Sequence, residues 1–318
     1  MPKQKIIVVL GQTATGKSGL AVYLAKKLGL NRQMSVGRTG PVLGGEVISA
    51  DSRQVYKGLD LGTGKITKKE MRGIPHHLLD VISPKKQFSV TEYKKLTEKA
   101  IDGIISRGKI PIICGGTGFY IQSIVDGIVL PEVTPDFKLR KKLENKAVKE
   151  LYIILKKLDP RRAREIDKNN PHRLVRAIEI ATVLGKVPRL ESRLQNYDVL
   201  KIGLKLSGNL LKQKIHIRLF ARLSAQAGIS RGMINEAKNL HNKGLSWKRM
   251  EELGLEYKYL AKYLKKRLTK EQLTNQLENA IWQYAKRQMT WFKRDKEIRW
   301  FNPKDLKKIE KEVGGFLK

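Results

Sequence analysis

The sequence predicts an α/β fold: a parallel sheet flanked by helices, with a helical domain inserted into it. Three observations carry that expectation. Short apolar runs alternate with helix-forming segments over residues 6–125, the pattern of a parallel sheet covered on both faces. A glycine-rich loop follows the first run and opens a helix. From about Asp126 to Leu194 the strand signals fade, and Lys/Arg-rich helical patterns replace them.

Taken in order, Ile6–Leu10 is a continuous apolar run suited to a buried strand. Gly11–Ser18 follows, then a helical pattern through Leu28. Asn31–Gly45 is polar, glycine-bearing and aperiodic, and is expected to be a surface loop or insertion. Val47–Ala50 is the second strand candidate and ends at Asp51. Ser89 with Glu92 three residues on forms a capping box, opening a helix expected to run to about Ser106, before Gly108. Ile110–Cys114 reads as a third strand running into Gly115–Gly118. The next region is punctuated by Pro131, Pro135, Pro160, Pro171 and Pro188. Tyr197–Leu206 offers a strand that can return to the sheet, and the remainder reads as helical. There Thr269 with Gln272 opens a long helix whose Leu273, Leu277 and Ile281 form a buried stripe. The expected organisation is therefore a core begun by residues 1–126, an inserted helical domain at 127–195, and a return strand with mainly helical segments at 196–318.

At 318 residues the chain can bury a substantial core. Its 65 Lys+Arg against 30 Asp+Glu leave a formal net charge of +35, which repels itself and calls for a partner. A polyanion that sheds counterions on contact fits best. A Lys-rich surface serving solubility, or an anionic membrane surface, are the other readings. No run approaches the ~18 apolar residues of a membrane span, and Ile6–Leu10 is too short for a signal-peptide core. Cys114 is the only cysteine, which excludes an internal disulfide and a multi-Cys zinc site, and a reducing, cytoplasmic location is expected.

Gly11-Gln12-Thr13-Ala14-Thr15-Gly16-Lys17-Ser18 fits G-x-x-x-x-G-K-[ST], with a strand before it and a helix after it. Glycines let backbone N–H groups turn around an anion, and the helix N-terminus adds its dipole. Lys17 supplies a charge, and Ser18 can hold a magnesium ion. The fold class narrows to a P-loop NTPase-like sheet. The motif specifies an oligophosphate without naming a reaction: ATP is its ordinary ligand, and any group leaving as diphosphate suits it equally.

In a parallel sheet ligands bind outside the carboxyl ends of strands, so Asp51 should share an edge with the phosphate loop. It could be a magnesium ligand, a general base or a structural cap. Gly115-Gly116-Thr117-Gly118 closes the third strand on that edge, either as a tight turn or as a loop whose Thr117 hydroxyl meets a substrate. His76-His77 has no metal-ligand spacing to partners, so structural roles are expected for both.

The segments Gly11–Ser18, Ile48–Gly58, Asp60–Lys65, Pro75–Asp80, Gly115–Tyr120, Arg173–Glu179 and Ala285–Phe292 together resemble the tRNA dimethylallyltransferases, or isopentenyltransferases, in the family's order. The resemblance implies transfer of a dimethylallyl group from its diphosphate to N6 of the adenosine next to the anticodon, in tRNAs reading codons that start with U. Gly11, Thr13, Ala14, Thr15, Gly16, Lys17 and Ser18 would grip the diphosphate, with Mg2+ on Ser18. Asp51 would accept the amine proton, Thr117 would hydrogen-bond that amine, and Arg222, in preference to Arg218, would clamp the leaving diphosphate. Asp51, Ser52, Arg53, Gln54, Thr117, Arg140, His172, Arg173, Arg176, Lys286, Arg287 and Gln288 would contact the anticodon stem-loop. A monomer with no membrane partner is expected.

Three features depart from the family's pattern. His172 stands where Gln is usual, Asn31–Gly45 is long, and the spacing from Arg218 and Arg222 to Gly232 is stretched by about two residues. The rival readings are a P-loop small-molecule kinase or ATPase, an isopentenyltransferase of free adenine nucleotides, and a non-enzymatic RNA-binding protein. The first leaves the later motifs unexplained, the second needs no large basic module, and the third leaves the phosphate loop and Asp51 idle.

Overall fold

A computed structural model describes residues 3–30, 44–189, 197–223 and 232–318. The chain divides into two compact units, Met1–Gly127 with Leu194–Lys318, and Ile128–Arg193. The first unit begins with β1 (Gln4–Gly11), α1 (Lys17–Leu30), β2 (Gly45–Ala50), α2 (Lys68–Met71), β3 (His76–His77), α3 (Val90–Ser106), β4 (Ile110–Gly115) and α4 (Gly118–Val125). The second unit contains α5 (Phe137–Glu144), α6 (Val148–Leu158), α7 (Pro160–Glu165) and α8 (Pro171–Leu184). The first unit then resumes with β5 (Tyr197–Leu204), α9 (Gly208–Leu223), α10 (Met233–Asn242), α11 (Trp247–Leu253), α12 (Leu255–Leu264), α13 (Lys270–Phe292), β6 (Arg299–Phe301) and α14 (Leu306–Leu317).

The six strands form one parallel sheet in the order β3-β2-β4-β1-β5-β6. Because side chains alternate along a strand, β1 divides its apolar run between two cores. Ile7 and Val9 pack with Leu20, Leu24 and Leu28 of α1 and Ile309 and Val313 of α14. Ile6, Val8 and Leu10 face Ile101 and Ile104 of α3 and Ile121 of α4. A third core joins Leu219 of α9 to the helices α10–α13 through Leu253, Leu260, Leu273 and Leu277.

Both capping boxes read from the sequence are present: Ser89 with Glu92 on α3, and Thr269 with Gln272 on α13. Strands β3 and β6 are additions to the expected set. They have two and three residues, too few for any periodicity to announce them. The strand expected at Tyr197–Leu206 stops at Leu204. Two prolines of the second unit start helices: Pro160 follows the N-cap Asp159, and Pro171 follows the N-cap Asn170. Its core gathers Leu143, Leu151, Leu155, Leu174 and Ile178.

Among the described residues no helix is long and apolar enough to cross a membrane. The Asn31–Gly45 stretch, except its last two residues, lies outside the described residues. So do the expected 195/196 boundary and most of the span between Arg222 and Gly232.

Candidate active site

Sheet register puts three loops on one edge. Gly115 of β4 pairs with both Leu10 of β1 and Ala50 of β2, so the segments after these strands emerge side by side. A cavity of about 970 Å³ lies there, lined by Lys17, Ser18, Asp51, Gln54, Gly116 and Arg222, among others.

Gly11 is the last residue of β1, and the loop proper begins at Gln12. Ala14 at φ 62° and Gly16 at φ 91° hold left-handed backbone, which lets the chain curl before α1 begins at Lys17. The loop is held from behind by α13. Gln12 Nε2 donates to the Ala285 carbonyl at 3.0 Å. Thr13 N–H donates to Gln288 Oε1 at 2.8 Å, and Gln288 Nε2 donates to the Gly116 carbonyl at 3.0 Å. Thr15 Oγ1 and Lys17 Nζ both donate to the Gln12 carbonyl, at 2.8 and 2.6 Å. The Ser18 residue is exposed at the first turn of α1 and lines the cavity. Magnesium bound with phosphate needs only one or two protein ligands, so this hydroxyl fits such an ion.

Asp51 is half-buried; its Oδ1 accepts from the N–H groups of Arg53 (2.8 Å) and Gln54 (3.4 Å). That turn orients the carboxylate, and Oδ2 is left for other partners. Thr117 is tied to the same loop: its N–H donates to the Ala50 carbonyl at 3.1 Å, and its Oγ1 accepts from Ser52 N–H at 3.0 Å. Tyr284 of α13 lines the cavity. Burial and the neighbouring Asp51 raise its phenol well above the usual range, while Arg53 and the Thr117 hydroxyl oppose the rise. It therefore stays protonated and able to donate.

One helix supplies a row of cations. Lys214, Arg218 and Arg222 follow at i, i+4 and i+8 on α9, and all three line the cavity. Arg218 NH1 donates to Thr13 Oγ1 and NH2 to the Gly64 carbonyl, both at 3.3 Å. Among the described residues neither Arg218 nor Arg222 has a carboxylate within ion-pair distance. The group accordingly disfavours its own charge. Burial pulls the Lys17 ammonium down to about 8; Cys114 and Asp51 oppose the drop and Arg218 adds to it. Burial lowers Arg218, and burial with the adjacent Arg218 brings Arg222 to about 10. Burial also lifts the Glu256 carboxyl to about 7, although Arg218 and Arg222 oppose it. Several cations short of counter-charge around a glycine loop are a site for a polyvalent anion.

The other residues named from the sequence divide. Gln54 lines the cavity, its Nε2 3.5 Å from the Gly64 carbonyl, and Ser52 and Arg53 stand beside Asp51. Lys286 and Arg287 are exposed on α13, whereas Gln288 is buried and spends both ends of its amide inside the protein. Arg140, His172, Arg173 and Arg176 belong to the other unit. His172 and Arg173 are exposed there, while Arg140 and Arg176 bind the buried Glu179. His76 pairs with the Ile74 carbonyl and His77 with Glu46. Lys214, Tyr284 and Glu256 were missed in the sequence. The i, i+4, i+8 spacing could have exposed Lys214, and Tyr284 stands one turn before Gln288.

A family model described as IPP transferase matches residues 54–295. The chain is 41% identical over 297 residues to tRNA dimethylallyltransferase 2 of Treponema denticola, covering 92% of each. It is 37% identical over 319 residues to the tRNA dimethylallyltransferase of Halothermothrix orenii, covering 97% of this chain and 91% of that one. The fold is similar to the full-length tRNA isopentenylpyrophosphate transferase of Bacillus halodurans, with TM-score 0.70 and 33% identity over 99% of this chain and 97% of that one. A eukaryotic dimethylallyltransferase acting on tRNA is similar with TM-score 0.75 and 27% identity, over 98% of this chain and 77% of that one.

Proposed function

Since the chain belongs to the IPP transferase family, we propose that its cavity transfers a dimethylallyl group from the diphosphate to an adenosine of tRNA. The observation that carries the reading is one cavity that holds both a polyphosphate cradle and a strand-end carboxylate. An exocyclic amine is a weak nucleophile and must shed a proton as it bonds to carbon. Asp51, with Oδ1 held by two backbone N–H groups, keeps Oδ2 to receive it. N6 forms a bond to the allylic carbon, the C–O bond breaks, and its electron pair leaves with diphosphate.

Charge grows on that leaving group, and donors already aimed at it lower the barrier. The loop Thr13–Ser18, Lys17, and Arg222 or Arg218 fill this role. Ser18 would hold a magnesium ion against the diphosphate oxygens, and the ion would offset their charge. Thr117, beside Asp51 and Tyr284, would hydrogen-bond the amine. The adenosine has to leave its stack to reach such a site. The anticodon stem-loop, with its adenosine next to the anticodon, fits the +35 net charge as polyanionic partner. On this reading Ser52, Arg53, Lys286, Arg287, His172 and Arg173 are its contacts.

The test incubates purified protein with labelled dimethylallyl diphosphate, magnesium and unmodified tRNA, with ATP and with free adenine nucleotides in parallel reactions. Label should enter the RNA. ATP hydrolysis without RNA labelling would instead establish the kinase or ATPase reading, and labelling of free adenine nucleotides alone would establish the other. Asp51→Ala should abolish turnover and leave tRNA binding in place.

A further inference from the structure

The Asp60–Lys65 segment has no role in the reaction so far described, yet it forms part of the cavity wall through Thr63, Gly64 and Lys65. Its conformation is organised around one carboxylate. Glu236, in the first turn of α10, accepts four hydrogen bonds from described residues: Asp60 N–H (3.0 Å) and Leu61 N–H (2.7 Å) on Oε2, Gly62 N–H (3.0 Å) and the Tyr257 hydroxyl (2.7 Å) on Oε1. Three consecutive backbone donors on one anion force the chain to wrap it.

The far end of the loop touches the arginines. The Gly64 carbonyl accepts from Arg218 NH2, and Gly64 sits at φ 62°. A Cβ built there would stand 1.9 Å from Arg218 NH2 and 2.3 Å from Arg222 NH2, so a side chain at this left-handed position would push both guanidinium groups aside. At the near end, a Cβ on Gly62 would meet the Tyr257 ring at 2.6 Å. The loop is thus clamped between Tyr257 with Glu236 on one side and Arg218 with Arg222 on the other.

We infer that Glu236 is a positioning residue for diphosphate: by fixing loop 60–64 it sets the Gly64 carbonyl, which together with Thr13 Oγ1 aims Arg218 into the phosphate site. The inference rests on the proposed reading in taking diphosphate as the ligand of that site. Its effect is transmitted through Arg218, so removing Glu236 has a consequence only while Arg218 is there to be aimed.

The experiment measures binding of inorganic diphosphate with magnesium by calorimetry to the full chain and to Glu236→Gln, Arg218→Lys and the double variant. Glu236→Gln should weaken binding about tenfold, and in steady-state transfer it should raise KM for the prenyl donor more than it lowers kcat, with tRNA affinity unchanged. On the Arg218→Lys background the same change should cost less than twofold. Tyr257→Phe, which leaves the three backbone donors in place, should alter binding less than twofold. A full tenfold loss on both backgrounds overturns the inference, as does a Glu236→Gln protein that binds diphosphate like the parent. Should Glu236→Gln fail to fold, Gly64→Ala tests the same contact from the arginine side, with the same non-additivity expected against Arg218→Lys. A chain whose cycle is coupled but which labels no tRNA would sink the proposed function and leave Glu236's role intact. One that labels tRNA with an additive cycle does the reverse.

Discussion

Arg140 and Arg176 of the helical unit and Arg218 and Arg222 of the sheet unit's cavity are all half-buried, but they keep different company. In the helical unit Arg140 reaches Glu179 through Nε at 2.7 Å and NH2 at 2.8 Å, and Arg176 adds NH1 at 3.2 Å. Burial alone would raise the Glu179 carboxyl, yet Arg140, Arg176 and the Asp136 N–H hold it below the usual range. In the cavity neither Arg218 nor Arg222 has a carboxylate within ion-pair distance among the described residues; burial lowers both, and the more distant Glu256 and Glu70 only oppose it. A half-buried arginine with its own acid completes a fold. One without is waiting for an anion, and the cost of holding it there belongs to function.

The largest expected effect breaks the second half of that contrast. On the proposed reading Arg222→Ala removes a donor to the leaving group, so kcat/KM for prenyl transfer should drop roughly 10²- to 10³-fold. Because Arg222 makes no ion pair among the described residues and burial disfavours its charge, the melting temperature should hold or rise. A variant that melts early with transfer intact would mark Arg222 as structural. Glu179→Ala tests the first half. It strands Arg140 and Arg176 beside an apolar core and should cost about 3 kcal/mol in denaturant unfolding. Diphosphate binding should be unchanged in protein that remains folded, since Glu179 lies in the other unit. Unaltered stability would undo the contrast.

How far the sequence showed this depends on distance along the chain. The phosphate loop, both capping boxes and the three central strands are legible because each is a local pattern of spacing or alternation. Asp51 and Thr117 could be placed on the loop's edge because parallel strands bring their carboxyl ends together. What escaped is non-local. Glu236 meets Leu61 across 175 positions and Gln288 meets Thr13 across 275, and no periodicity records such pairings. Gln288 shows the consequence: named with Lys286 and Arg287 as an RNA contact, it is instead a buried bracket between two loops. Likewise Arg176 and Glu179 are three residues apart and visible as a pair, whereas Arg140 joins them from 39 positions away.

Glu256 gives a smaller effect and sharpens the account of the cavity. Its carboxyl, lifted by burial to about 7 from an ordinary 4.5, faces Arg218 and Arg222 and feels Asp51. The sign follows from linkage. Below pH 4.5 the group is protonated folded or unfolded and costs nothing. Between 4.5 and 7 only the folded form keeps the proton, so stability declines with pH, and above 7 the full cost persists. Glu256→Gln should therefore match the parent near pH 4.5 and exceed it by roughly 1–3 kcal/mol at pH 8. Equal differences at both pH values would mean that Glu256 is not held neutral by its surroundings.

The smallest effect concerns the surface that the helical unit offers. If the proposed stem-loop contact includes Arg173, that exposed guanidinium, which makes no ion pair among the described residues, meets a phosphate or nothing. Arg173→Ala should then weaken tRNA binding a few-fold at low salt and flatten the plot of log affinity against log salt by about one unit. Arg140→Lys is the matched control. Its fork is already spent on Glu179, so it should lower stability by about 1 kcal/mol and leave the salt slope where it was. An equal change in slope from both would mean that Glu179 releases Arg140 to the RNA, and that company in the free protein does not separate structural arginines from binding ones.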